Sequence, residues 1–164
     1  MKNRVHLLTF ESRSPEQTAA FARSLARLLD SGDALSLEGT LGAGKTHFAQ
    51  GLAYGLGVPP ETYVTSPTFT IINQYACEGD TYQGPFFHLY LYRLEEPDEL
   101  FEIGYYDLMR GGCITTVEWW DNFPEEIPDH TLFVHINITG DETRQLVLES
   151  RAPELWQPRL ANLA

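Results

Sequence analysis

One octapeptide constrains this chain more than any other feature. Gly39-Thr40-Leu41-Gly42-Ala43-Gly44-Lys45-Thr46 matches the pattern G-x-x-x-x-G-K-[ST] in full. Average composition produces such a match in about one chain in two hundred of this length. The spacing has a physical cause. Glycines let successive backbone N–H groups turn into one concavity that cradles phosphate oxygens, and a helix starting just after them aims its positive end at the same point. The flanks supply what the loop needs, an apolar strand over Ala34 to Glu38 before it and a helix from Lys45 to about Leu56 after it. Gly57 and the Pro59-Pro60 break close that helix. Residues Gly39, Thr40, Leu41, Gly42, Ala43, Gly44, Lys45, Thr46 and His47 are therefore candidates for holding a nucleotide. In this pattern Lys45 reaches the β- and γ-phosphates and Thr46 offers its hydroxyl to Mg²⁺. The chain has only one other lysine, Lys2, which adds weight to the placement of Lys45.

A phosphate loop of this kind needs a second group on Mg²⁺, commonly a carboxylate leaving an apolar strand. Ile114-Thr115-Thr116-Val117-Glu118 provides one, and Glu118 is the candidate catalytic and metal-holding acid beside Lys45 and Thr46. Trp119 follows it and either lies beside the nucleotide or fills the core. In Ser66-Pro67-Thr68, two hydroxyls are held by a stiff proline, and on the residues alone Ser66 and Thr68 fit a binding contact and a simple strand-entry turn equally well. His88 reads as a core or edge histidine, since no partner spacing supports catalysis. Arg93 is open between phosphate and surface.

The rest of the chain fills in an α/β order. Val5 to Phe10 reads as a strand, and Ser14 with Pro15 starts a helix whose stripe is Phe21, Leu25, Leu28 and Leu29. Thr68 to Tyr75 and Pro85 to Tyr92 predict a hairpin, Pro97 to Gly112 two helical pieces broken at Gly104, and Thr131 to Ile138 with Arg144 to Glu149 a second hairpin. Pro153 to Leu163 predicts a last helix. The expected architecture is one P-loop NTPase-like domain over residues 1–164, three layers around a sheet of mixed parallel and antiparallel strands.

Composition narrows the partners. Eleven basic residues against 23 acidic ones leave a net charge of -12, too acidic for a large direct nucleic-acid footprint. Cys77 and Cys113 form neither a disulfide framework nor a zinc pattern, and both are expected to be buried thiols in a reducing compartment. The apolar run near the N-terminus is too short for a signal peptide, and no stretch approaches the ~20 residues of a membrane helix. A soluble, cytoplasmic chain with no membrane partner is expected.

Five stretches together resemble the bacterial TsaE (YjeE) family, small ATPases of tRNA threonylcarbamoyladenosine biosynthesis. They are L-x-G-x-L-G-A-G-K-T at Leu37 to Thr46, V-T-S-P-T-F at Val64 to Phe69, H-L-Y-L-Y-R-L at His88 to Leu94, P-D-E-L-F-E-I-G at Pro97 to Gly104, and V-E-W at Val117 to Trp119. The resemblance implies ATP and Mg²⁺ as cofactors and the TsaB and TsaD proteins as partners, with tRNA met indirectly through the complex. It also implies partner-linked ATP hydrolysis without transfer of the threonylcarbamoyl group, and a switch-like role for Ser66-Pro67-Thr68 near the γ-phosphate. The chain departs from the family pattern at three positions. Tyr90 stands where H-x-D-L-Y-R carries an aspartate implicated in the metal and water site, Thr40 replaces an acid in the loop, and His47 replaces a second threonine. A phenol supplies no anion at neutral pH, so binding is implied more securely than turnover. Two other functions fit the loop: a nucleotide-binding assembly module with weak hydrolysis and, less well, a small-molecule kinase.

Overall fold

A computed structural model describes residues 2–163. Seven strands form one sheet in the order β1-β7-β6-β2-β5-β4-β3. They are β1 (Val5–Ser12), β2 (Ala34–Glu38), β3 (Ile72–Glu78), β4 (Gln83–Tyr90), β5 (Ile114–Glu118), β6 (Leu132–Ile138) and β7 (Arg144–Ser150). The four inner strands β4, β5, β2 and β6 run parallel, while β3 at one edge and β7 and β1 at the other are antiparallel additions. Sequence explains the division. All five residues of β5 and the first four of β2 are buried, as parallel strands covered on both faces require. The latter half of edge strand β3 alternates buried with exposed residues.

Helices cover both faces, and the period-two direction of side chains assigns each one. Leu35 and Leu37 of β2 and Leu132, Val134 and Ile136 of β6 pack with α1 (Pro15–Ala26), α2 (Lys45–Gly55) and α5 (Pro153–Leu160). Their strand neighbours Ala34 and Phe133, with Leu89 and Val117, face a second cluster that contains Leu100 of α3 (Pro97–Glu102) and Tyr105 of α4 (Tyr105–Arg110). Two 3-10 turns, Trp120–Asn122 and Pro124–Glu126, complete that layer. The result is the mixed-sheet α/β fold expected.

Local chemistry accounts for the ends of the elements. Ser14 caps α1 by accepting the Gln17 N–H at 3.1 Å, with Pro15 at the first turn. Gly51 lets α2 lie against α1, since a Cβ there would meet the Ala19 carbonyl oxygen at 2.1 Å. This close contact seats the helix that begins at the phosphate loop. Some boundaries differ from expectation. β3 starts at Ile72 rather than Thr68 because Pro67 to Ile71 closes a turn, the Ile71 N–H donating to Pro67 O and Ile71 holding φ +70°. The last helix ends at Leu160, three residues early. Cys77 is buried as expected, but Cys113 is only half-buried, because it follows the Gly111-Gly112 exit from α4 rather than lying within a strand. No helix among the described residues is long and apolar enough to cross a membrane.

Candidate functional site

β2 ends at Glu38, and the chain turns through Gly39, Gly42 and Gly44 at φ +154°, +82° and +108° before α2 begins at Lys45. Those angles favour glycine. At Gly39 space also forbids a side chain, since a Cβ would lie 2.8 Å from the Ile136 carbonyl oxygen of the neighbouring strand. Ala43 N–H closes the loop onto Thr40 O at 3.0 Å, and Phe48 N–H on Gly44 O starts the helical ladder. The first amides of α2 are left without intrahelical partners and face the loop, as at any helix start.

Two cavities flank the loop. One, of about 360 Å³, is bounded by Leu41 to His47 with Ser66, Thr68, Tyr90, Glu118 and Trp119. The other, of about 480 Å³, takes in Gly39 and Thr40 and shares Lys45 and Trp119 with the first. Gly39 to His47, Ser66, Thr68, Glu118 and Trp119 therefore each border one of these two spaces, whereas His88 and Arg93 border neither. Lys45 Nζ donates to Gly39 O at 2.7 Å and lies 3.7 Å from Glu118 Oε1. Trp119 does not fill the core: it borders both cavities at φ +62°, its ring 4.8 Å from Tyr92 and 5.6 Å from Lys45 Nζ. Trp120, by contrast, is the core tryptophan, buried with its indole N–H on Tyr105 Oη at 3.0 Å. Arg93 borders neither cavity, its guanidinium lying over the Phe69 ring at 5.1 Å.

Glu118 is the best-anchored polar group here. It is 2% exposed, and one of its oxygens, Oε2, accepts from Ser66 Oγ at 2.6 Å and from His88 Nε2 at 2.7 Å. Burial opposes its ionisation. The hydrogen bond and electrostatic attraction of His88, the Ser66 hydroxyl and Lys45 outweigh burial, and the carboxyl is held below its usual range. Its other oxygen, Oε1, makes no hydrogen bond among the described residues and faces Lys45 across 3.7 Å. A free carboxylate oxygen and the Thr46 hydroxyl bordering one cavity suit Mg²⁺, which takes few protein ligands and keeps water and phosphate oxygens for the rest.

Sequence reasoning missed two participants. His88 is fully buried, as a core histidine would be, yet it directly contacts the candidate acid. Its spacing, two residues before Tyr90, puts it on the face of Glu118 only once β4 is known to pair with β5. In that ladder His88 lies opposite Thr116, and Tyr90 opposite Glu118. Arg144 was read only as the start of a strand. Its guanidinium donates to the carbonyls of Gly42 at 3.1 Å and Ala43 at 2.9 Å, bracing the loop from outside. A contact spanning that much sequence leaves no local trace.

A parallel-centred sheet with this loop leaving a central strand, and a buried acid on the strand beside it, defines an α/β protein of the phosphate-loop type. The family model "Threonylcarbamoyl adenosine biosynthesis protein TsaE" matches residues 12–146, and the chain belongs to the TsaE family. It is similar to the tRNA threonylcarbamoyladenosine biosynthesis protein TsaE of Treponema pallidum, 34% identical over 137 residues that cover 84% of this chain and 96% of the relative. The Bacillus subtilis protein of the same name is 38% identical over 139 residues, covering 85% and 83%. Among solved structures, Bacillus subtilis YdiB superposes with a TM-score of 0.70 at 31% identity, covering 98% of this chain and 97% of that one.

Proposed function

We propose that this chain is a Mg²⁺-dependent ATP-binding subunit and ATPase accessory to formation of N6-threonylcarbamoyladenosine at position 37 of tRNA. In this reading it acts with TsaB and TsaD in the cytoplasm, meets tRNA through that complex, and does not itself transfer the threonylcarbamoyl group. One observation carries the reading: Lys45, Thr46, Ser66 and Glu118 border a single cavity with the glycine loop. Net charge of -12 supports the indirect tRNA contact.

Each residue then has a task its position suits. Loop amides from Gly42 to His47 bind phosphate oxygens, and Lys45 exchanges the Gly39 carbonyl for a phosphate oxygen across the same loop. Thr46 and Glu118 would hold Mg²⁺, directly or through water, and the cation would supply neutralisation of the charge on the phosphoryl group. Ser66, hydrogen-bonded to Glu118, reports the state of that carboxylate to the turn at Pro67, with Thr68 beside it. Trp119 shields the space next to Lys45 from water.

A second reading rests on Tyr90. It borders the phosphate cavity without offering an anion, which favours a nucleotide-dependent assembly module with slow hydrolysis. An ATP titration with phosphate release, run with and without TsaB and TsaD, separates the two. Partner-stimulated release supports the ATPase, whereas binding without release supports the module. Lys45→Ala is expected to weaken ATP binding at least a hundredfold, and unchanged affinity would end both readings.

A further inference from the structure

Arg144 opens β7, and its side chain reaches back to the outer side of the phosphate loop. Nε donates to Ala43 O at 2.9 Å and Nη2 to Gly42 O at 3.1 Å. Nη1 donates to Thr143 O at 2.8 Å, Gly140 O at 2.9 Å and Asp141 O at 3.3 Å, all in the turn between β6 and β7. Every recorded bond of this guanidinium thus ends on a main-chain carbonyl. Among the described residues no carboxylate lies within ion-pair distance of it.

The planarity of the peptide gives this arrangement a consequence. A carbonyl and the N–H of the next residue point in opposite directions across one rigid unit. Pinning the Ala43 carbonyl outward turns the Gly44 N–H inward, and pinning the Gly42 carbonyl fixes the plane whose N–H closes onto Thr40 O. A forked, planar donor holds its N–H groups in fixed directions that match two successive carbonyls, whereas an ammonium's three rotatable donors impose no such geometry. Glycines at positive φ on both sides of Ala43 make the unbraced loop free to flip.

We propose that Arg144 is a positioning residue of the anion cradle, holding the loop in its phosphate-binding shape and tying that shape to the β6–β7 turn. The proposal rests on the nucleotide-binding reading above and names a determinant outside the motif. It also makes residues 139–143 a handle on the cradle, because the same guanidinium grips both.

The test compares ATP with inorganic triphosphate as titrants against wild-type protein, Arg144→Ala and Arg144→Lys, with ligand-free melting measured in parallel. Arg144→Ala is expected to weaken both titrants by about tenfold and to a similar degree, because the cradle is common to them. Arg144→Lys is expected to recover less than half of that loss on a logarithmic scale, although it keeps the charge. Full recovery by lysine would overturn the proposal by showing that charge alone acts. Loss of ATP affinity with triphosphate affinity retained would overturn it in favour of a nucleoside contact. If Arg144→Ala does not fold, Arg144→Lys and Arg144→Gln carry the same comparison. Wild-type protein that binds neither titrant would sink the nucleotide reading, and this proposal with it.

Discussion

His88 Nε2 lies 2.7 Å from Glu118 Oε2, and both side chains are closed to solvent. An ionised carboxylate can only accept, so the imidazole donates. Together with the Ser66 hydroxyl it saturates Oε2 and leaves Oε1 as the oxygen turned towards Lys45. His88 thus orients the acid. Removing it strands a buried charge, and charge-assisted hydrogen bonds of this kind are worth about 1.5–3 kcal/mol. His88→Ala is expected to destabilise the protein by about 2–3 kcal/mol in urea denaturation, with part of the loss recovered in His88→Gln. A change below about 0.5 kcal/mol would show that the pair contributes little.

The loop glycines separate strain from collision. Gly42 has φ +82° but open space around its Cβ direction, whereas a Cβ on Gly39 meets Ile136 O at 2.8 Å and Ala43 Cβ at 3.0 Å. Gly42→Ala is expected to cost about 1 kcal/mol through backbone strain alone. Gly39→Ala must also push β6 away from the loop and is expected to cost at least 1 kcal/mol more. Thermal unfolding of the two variants checks the order, and equal losses would contradict the packing at Ile136.

How much of this was legible in the sequence follows from the range of each interaction. The loop, its strand and its helix were readable because glycine, lysine and threonine act within eight residues of one another. Glu118 was readable because an acid ending a buried strand is rare enough to notice. His88 and Arg144 were not, because their roles depend on which strands lie side by side and on a turn folding back over a loop. Neither strand order nor turn direction is written in local periodicity. The late start of β3 has a similar cause. Thr68 to Tyr75 alternates like a strand, yet Pro67 and the Ile71 N–H close a turn whose bonds compete with the ladder. Trp119 and Trp120 are adjacent in sequence, and only the positive φ at Trp119 puts one at the cavity and the other in the core.

At the opposite end of the sheet, Asp33 is buried beside the guanidinium of Arg159 and accepts the Asp30 N–H at 2.7 Å. Burial outweighs these partners and raises its pKa above the ordinary carboxyl value of 3.8. A carboxyl raised in the folded state keeps its proton to higher pH than the unfolded chain does. Its contribution therefore favours folding at low pH and declines as pH rises through the window above 3.8. Deleting the counter-ion widens that window. Arg159→Met is expected to cost about 2 kcal/mol at pH 7 and distinctly less near pH 4, where Asp33 takes up a proton. Urea melts at the two pH values decide it, and a pH-independent loss would mean that Asp33 is not its cause, leaving the Leu28 carbonyl that Arg159 bonds and its packing on Trp156, 4.7 Å away.

Tyr90 pairs directly with Glu118 in the β4–β5 ladder, and both border the cavity beside the glycine loop. An aspartate at this position would put a second carboxylate beside one that is already buried. Like charges so placed raise each other's pKa and destabilise the fold unless a cation lies between them. Tyr90→Asp is therefore expected to lower the melting temperature by about 5 °C in the presence of chelator. ATP with Mg²⁺ should restore more stability to this variant than to the wild type, since the added anion strengthens cation binding. If Tyr90 is what slows hydrolysis, phosphate release should rise at least tenfold in the variant while ATP affinity stays within about threefold. Equal Mg²⁺ responses in the two proteins would place the cation away from β4. A stronger Mg²⁺ response with no gain in turnover would show that Tyr90 is not what limits hydrolysis.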